Sequence, residues 1–97
     1  MAQVRVIAYE PVAASLGSAG RRSVRFSREI AEHETLEDFV RRLAASHPAL
    51  ADITFSPSSE AMVPAYRIFV NGTRIPLAEW ATTRLEDGDQ VMFRRMY

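Results

Sequence analysis

Apolar and polar residues alternate with a period of two in three stretches of the chain, a spacing typical of β-strands with one buried face. These stretches are Ser23–Ile30, Tyr66–Asn71 and Gln90–Arg95. A fourth stretch, Val4–Tyr9, is apolar at nearly every position apart from Arg5, as expected for a strand covered on one face and partly on the other. The pattern therefore predicts four main strands.

Between the second and third strands the apolar spacing changes to that of an amphipathic helix over Thr35–Ser46. The positions with helical spacing are Leu36, Phe39, Val40, Leu43 and Ala44. Thr35 is a suitable N-cap, and Glu37 and Asp38 favour the first turn, where the helix dipole stabilises acids. Pro48 disfavours helical backbone at His47, so we expect the helix to end there.

Two dipeptides mark tight turns in the last third of the chain. Asn71-Gly72 supplies the positive φ angles of a two-residue hairpin, so Thr73–Ile75 should return as a short strand. Asp87-Gly88 precedes the last strand in the same way. By contrast, residues 10–22 contain Pro11, Gly17 and Gly20 among Ala and Ser, and we expect a loop there with little to bury. Residues 54–65 are rich in Pro and Ser, and we expect a second loop there, with a short edge pairing at Met62 and Val63.

The order strand, strand, helix, strand, short strand, strand predicts an α+β fold in two layers. One helix would cross one face of a mixed sheet of four or five strands, with the last strand beside the first. The 97 residues correspond to a single domain, 1–97.

Composition excludes several functions. The 12 basic residues, all arginine, balance 12 acidic ones, which argues against general nucleic-acid binding. The absence of cysteine excludes a thiolate nucleophile and Cys-ligated metals. The N-terminus lacks a signal-peptide pattern, and no apolar run is long enough to cross a membrane. We therefore expect a cytoplasmic protein without membrane contact.

Catalytic chemistry is not indicated, so we expect a protein that is not an enzyme and needs no cofactor. His33 and His47 are isolated along the chain. His33 lies between Glu32 and Glu34, but three consecutive side chains do not converge on one metal ion. No serine lies in a nucleophile elbow, and no glycine-rich phosphate loop is present.

Three motifs carry a family resemblance. Thr35-Leu36-Glu37-Asp38 with His47-Pro48-Ala49-Leu50 resembles the helix of the ubiquitin-like β-grasp proteins of the molybdopterin-synthase small subunit and thiamine sulfur-carrier type (MoaD/ThiS). Val70-Asn71-Gly72 resembles the hairpin of that family, and Leu85-Glu86-Asp87-Gly88-Asp89-Gln90-Val91 resembles its turn into the last strand. The resemblance spans Val4 to Phe93 and implies a β-grasp fold.

The resemblance also implies a function, and the end of the sequence departs from it. Carriers of this family end in Gly-Gly, whose carboxylate is adenylated in a narrow channel of a partner enzyme and converted to a thiocarboxylate. Here Phe93 is followed by Arg94-Arg95-Met96-Tyr97, and no glycine follows Gly88. Because bulky side chains do not fit such a channel, we expect a relative of the carriers that does not use their chemistry.

We therefore expect non-covalent docking on a partner protein, as an accessory or regulatory subunit. The residues predicted to face the helix are Val4, Val6, Val24, Phe26, Ile68, Val70, Val91 and Phe93. The opposite face would then expose Ile7, Tyr9, Phe69 and Met92, ringed by Arg5, Arg25, Arg67 and Arg94, which is the composition of a protein interface. The predicted partner-binding residues are Ile7, Tyr9, Phe69, Met92, Arg94, Arg95, Met96 and Tyr97.

Several alternatives stay open at this point. The partner could be an activating enzyme, a molybdopterin-synthase-like protein or another enzyme subunit. The exposed face could instead be covered by residues 10–22 or by a second copy in a homo-oligomer. The alternative functions are a sulfur carrier for molybdopterin or thiamine whose Gly-Gly is absent from this chain, and a small subunit associated with an oxygenase.

Overall fold

The computed structural model describes residues 2–17, 23–56 and 61–96, and in these ranges one mixed sheet packs against helices. The strands are β1 Gln3–Tyr9, β2 Ser23–Glu29, β3 Tyr66–Val70, β4 Thr73–Arg74 and β5 Gln90–Arg95. The helices are α1 Val12–Ser15, α2 Leu36–Ser46 and α3 Pro48–Asp52, with a 3₁₀ turn at Leu77–Glu79. The strand order is β2-β1-β5-β3-β4.

The sheet confirms the predicted α+β architecture. β1 and β5 are parallel neighbours at its centre, so the last strand does lie beside the first. All other neighbouring pairs are antiparallel. One sheet face packs with α2 into a single core, and the residues that this face contributes include Val4, Val6, Ala8, Ile68, Val91 and Phe93. The side of each strand that faces the helix is therefore the predicted one.

Helix α2 begins and ends where the sequence indicates. Thr35 is its N-cap, and the Thr35 hydroxyl accepts a hydrogen bond of 3.2 Å from the backbone N–H of Asp38. The five apolar positions of the helix are all buried. Burial of a large apolar side chain contributes roughly 1.5–3 kcal/mol, so this face anchors the helix to the sheet.

The segment after α2 forms another helix, whereas the sequence predicted only that α2 ends at His47. Pro48 begins a second short helix, α3, because proline needs no hydrogen-bond partner in the first turn of a helix. His47 Nδ1 lies 3.0 Å from the carbonyl oxygen of Leu43, so the ring contacts the exposed carbonyls of the last turn of α2. Leu50 of α3 is fully buried, as predicted.

The expectation that residues 10–22 form a loop with little to bury is wrong for the part that the structure describes. Val12–Ser15 form α1, and Val12 and Ala13 are fully buried in the core. A four-residue helix is too short to show a helical period in the sequence, so its apolar residues look like loop composition. Residues 18–22 lie outside the described ranges.

The β3–β4 hairpin has the predicted turn, with φ angles of 51° at Asn71 and 85° at Gly72. Both angles lie in the left-handed region that a two-residue hairpin turn requires. β4 stops at Arg74, one residue earlier than predicted, and Pro76 leads into the 3₁₀ turn. Trp80 beyond that turn is buried, whereas Leu77 is 43% exposed.

Candidate partner-binding site

The open face, which is the sheet face that carries Ile7, Tyr9, Phe69 and Met92, lies on the opposite side from α2. Strand register joins residues of all five strands into one row across it. The row runs from β2 to β4 as Arg25, Ile7, Met92, Phe69 and Arg74. Three apolar side chains are therefore aligned across the centre of the sheet, with an arginine at each end.

A second row lies toward the C-terminal end of β1. Arg94 projects over Tyr9, with Cζ of Arg94 5.6 Å from the centroid of the Tyr9 ring, a cation–π distance. On its other side Arg94 is directly opposite Arg67 of β3. Two like charges directly opposite each other destabilise a sheet, and a bound anionic group would relieve that repulsion.

The open face is strongly basic although the whole chain has no net charge. Its strands contribute Arg5, Arg25, Arg67, Arg74 and Arg94, whereas Glu29 is the acid on the same side of these strands. In the described part of the chain none of these five arginines forms a salt bridge. The face therefore presents uncompensated positive charge around an apolar row.

The four apolar residues of the open face are half-buried. Arginine side chains on neighbouring strands cover part of their surface, as the guanidinium of Arg94 does over the Tyr9 ring. The apolar row is therefore a shallow feature that a partner would reach between the arginines.

The residues that come after Arg94 in the chain border the open face but lie in neither row. Arg95 and Met96 are exposed, and with Arg67, Phe69 and Arg94 they line a cavity of about 210 Å³. A second cavity of about 270 Å³ is lined by Tyr9, Glu10, Arg94 and Arg95. Tyr97, the last predicted partner-binding residue, lies outside the described ranges.

The acidic residues beside His33, considered above as possible metal ligands, have other contacts in the structure. The Glu34 carboxylate is buried and accepts hydrogen bonds from the Arg42 guanidinium at 3.0–3.2 Å and from the Ala31 N–H at 2.7 Å. His33 is exposed, 3.4 Å from Glu32. Within residues 2–17, 23–56 and 61–96, no three ligand-type side chains gather at a possible metal site.

Sequence reasoning missed two features of this region. Arg74 joins the open face only because the hairpin register places it opposite Phe69. Val63 and Leu77 are exposed at the edge of the sheet, at 63% and 43%. The available signal was the neighbouring prolines, Pro64 and Pro76, which prevent these apolar residues from continuing a strand.

Comparison with known proteins identifies the relatives of this chain. The model of the ThiS family matches residues 20–93, which is most of the sequence. The chain belongs to the ThiS family. Among curated proteins, no sequence matches this ThiS-family chain significantly.

Solved structures of ubiquitin-like proteins share the fold of this ThiS-family chain. Small archaeal modifier protein 1 of Haloferax volcanii is 22% identical with a TM-score of 0.70, over 96% of this chain and 95% of that one. A putative molybdopterin converting factor subunit 1 from Pyrococcus furiosus is 20% identical with a TM-score of 0.69, over 98% of both chains. CysO of Mycobacterium tuberculosis is 22% identical with a TM-score of 0.62, over 95% of this chain and 99% of that one.

These three structures have the same fold as the ThiS-family chain. The β-grasp fold implied by the three sequence motifs is thereby confirmed. In the described part of the chain, no helix has the length and apolar character needed to cross a bilayer.

Proposed function

We propose that this protein is a non-enzymatic, ubiquitin-like relative of the sulfur carriers that docks non-covalently on a partner protein through its open face. It would act as a single domain, without a cofactor, as an accessory or regulatory subunit in the cytoplasm. The residues proposed to contact the partner are those predicted from the sequence: Ile7, Tyr9, Phe69, Met92, Arg94, Arg95, Met96 and Tyr97.

One observation carries this proposal, which is the row in which Ile7, Met92 and Phe69 lie between Arg25 and Arg74. Aromatic residues, methionine and arginine are the residue types enriched at protein interfaces. A row of apolar side chains along neighbouring strands also gives a partner a continuous surface to cover. Such a central apolar cluster surrounded by charge is the usual arrangement of an interface with a few dominant residues.

The positive charge of the open face indicates what kind of partner surface it would bind. Five arginines that have no carboxylate partner among the described residues favour a protein surface with acidic residues around an apolar centre, because complementary charge speeds association and fixes orientation. An activating-enzyme-like protein, a molybdopterin-synthase-like protein or another enzyme subunit could each present such a surface. A second copy of this chain is less favoured, since its own open face is equally basic.

Site-specific crosslinking tests the proposal. A photoreactive phenylalanine analogue at position 69 should crosslink a partner in the source cells, whereas the same analogue at exposed Ala49 on the helical side should not. Met92→Asp and Arg94→Glu should each reduce that crosslinking more than about tenfold, as for central interface residues. Ala49→Asp is the matched control, and unfolding curves establish that all variants remain folded.

Two results would overturn docking through the open face. One is a partner that crosslinks equally from positions 69 and 49. The other is a crosslinked partner at position 69 whose yield is unchanged by Met92→Asp. Sedimentation of the purified protein distinguishes a homo-oligomer, which would crosslink to itself.

Membership of the ThiS family favours a second candidate function, a sulfur carrier in molybdopterin or thiamine biosynthesis. Such a carrier is activated at its C-terminal carboxylate and receives sulfur there. Intact-mass spectrometry after incubation with ATP, a sulfur donor and the activating enzyme of the source organism tests it. A mass increase equal to replacement of one oxygen by sulfur would establish the carrier and refute the non-covalent role as the whole function.

A further inference from the structure

The large apolar side chains that are exposed in the described part of the chain lie together in one place. Val63, Leu77 and Met96 are 63%, 43% and 37% exposed, and all three line the same groove beside β3. We call it the edge groove; its volume is about 270 Å³, and its buried lining includes Tyr66, Ile68 and Trp80. Clustered exposed apolar residues above an apolar floor are typical of an interaction site.

The edge groove exists because β4 is short. β4 pairs with β3 only at Phe69 and Val70, and beyond Ile75 the chain turns away into the 3₁₀ turn. Ile75 donates the last hydrogen bond along this edge, from its N–H to the carbonyl of Ile68 at 2.9 Å. The groove therefore lies on the side of β3 that β4 does not cover.

The edge groove also contains a cation that lacks an acceptor. Nε of Arg67 is buried, and it is the one buried side-chain nitrogen or oxygen in the described ranges that has no hydrogen-bond partner. Arg74 lines the groove as well, and none of the described residues that line it carries a carboxylate. A buried donor without an acceptor is costly, so a bound acceptor at Arg67 would be strongly favoured.

We propose that the edge groove binds an extended segment of a partner protein in which a bulky apolar residue is adjacent to an aspartate or glutamate. The apolar side chain lies between Val63 and Leu77, and the carboxylate accepts hydrogen bonds from the Arg67 guanidinium. Of the possible occupants, this one satisfies the apolar lining and the positive charge together. It goes beyond the open face, with which the edge groove shares Arg67 and Met96.

Selection from a library of random heptapeptides displayed on phage tests this proposal. The selected peptides should share an apolar residue next to an acidic one. A synthetic peptide from the selection should shift the NMR signals of Val63, Tyr66 and Leu77 and of the Trp80 indole N–H. Its counterpart with glutamine or asparagine in place of the acid should bind about tenfold more weakly, the usual effect of losing a charged hydrogen bond.

Variants of the whole protein locate the binding. Leu77→Asp should lower the affinity for both peptides by more than about tenfold. Arg67→Gln should abolish the preference for the acidic peptide. Ala49→Asp should leave both affinities unchanged. Met92→Asp, which lies on the open face, should also leave them unchanged, so that failure of the edge groove and failure of the proposed function give different results.

Two outcomes overturn the edge groove as a peptide site. In the first, none of the selected peptides depends on Leu77. In the second, sedimentation shows a dimer of the wild-type protein that Leu77→Asp converts to a monomer, which would make a second copy of the chain the occupant.

Discussion

Asn71 and Asp89 connect the two turn motifs of the chain through a hydrogen bond of 2.8 Å from Asn71 Nδ2 to Asp89 Oδ1. Asn71 Oδ1 also accepts from the backbone N–H of Gln90 at 2.9 Å, and Asp89 Oδ2 accepts from the N–H of Glu86 at 2.8 Å. The residues that reveal the family are thus used to fix the start of β5 against β3. They build the fold rather than perform chemistry.

Removing the side chain of Asn71 or of Asp89 should lower the stability of the protein without changing its fold. We expect Asp89→Ala and Asn71→Ala each to lower the free energy of unfolding by about 1–2 kcal/mol, because each leaves donors or acceptors without partners. The double variant should cost less than the sum, by about 0.5–1 kcal/mol. Urea unfolding followed by the fluorescence of Trp80, the single tryptophan, measures all three; strict additivity would contradict the coupling.

Two neighbouring arginines of α2 should differ greatly in their effect on stability. Arg42 contacts the buried carboxylate of Glu34 at 3.0 Å, whereas Arg41 lies 3.7 Å from Glu37 on the helix surface. We expect Arg42→Met to cost about 3–5 kcal/mol, since it leaves a buried charge without its partner. Arg41→Met should cost no more than about 0.5 kcal/mol.

The matched substitution on the same helix makes this comparison specific to the buried pair. Both variants lose one positive charge and retain helix propensity. Arg42→Met also removes the 2.7 Å hydrogen bond from Arg42 to the carbonyl of Glu29, so the effect of Glu34→Leu is needed to isolate the carboxylate's share. If thermal unfolding shows equal losses for Arg41→Met and Arg42→Met, Glu34 does not depend on Arg42. Adding Glu34→Leu to Arg42→Met should restore part of the lost stability.

The sequence predicted most of the sheet because its signals are local. Alternation in β2, β3 and β5 assigns side chains to a face, and Asn71-Gly72 fixes the hairpin register. Alternation sufficed to place Phe69 and Met92 on the same face, whereas their direct pairing depends on β3 lying beside β5. The burial of Val12 was not predictable, because α1 is too short to have a period.

Features that depend on contacts between separate parts of the chain could not be predicted from the sequence. Glu34 is buried by an arginine eight residues away, and no local pattern marks that pair. The edge groove depends on where β4 stops and on the path after Pro76, which together leave Leu77 exposed. Val63 reaches the same groove from a loop, so its role emerges only in three dimensions.

The hairpin turn gives a test of backbone conformation that is free of packing effects. Gly72 has φ of 85°, and a Cβ added there would meet no atom within 4 Å. Gly72→Ala should therefore destabilise by about 1–2 kcal/mol through left-handed strain alone. D-Alanine at position 72, introduced by chemical ligation, should instead stabilise by about 0.4–1 kcal/mol, because it restricts the unfolded chain at no conformational cost. Loss of stability with both enantiomers would indicate a steric cause instead.

Tyr66 and Thr54 form a hydrogen-bond chain beneath the sheet. The Thr54 hydroxyl donates to the carbonyl of Leu50 at 2.7 Å, so at the 2.7 Å contact between the two hydroxyls Tyr66 is the donor. Burial raises the pKa of Tyr66 from 10.0 to about 12. The folded state therefore favours the protonated form of the Tyr66 hydroxyl.

Because the pKa of Tyr66 is higher in the folded state, its contribution to stability should be complete below pH 10 and should disappear as pH rises through about 12. The unfolded chain loses this proton first, so the free energy of unfolding should fall by roughly 2–3 kcal/mol over that interval. No lysine titrates there, and Tyr66→Phe provides the control, since the other two tyrosines remain. Urea unfolding at pH 9 and pH 12 should show a loss in the wild type that exceeds the loss in Tyr66→Phe by that amount. Equal losses in the two proteins would mean that the Tyr66 hydroxyl ionises as readily in the fold as in the unfolded chain.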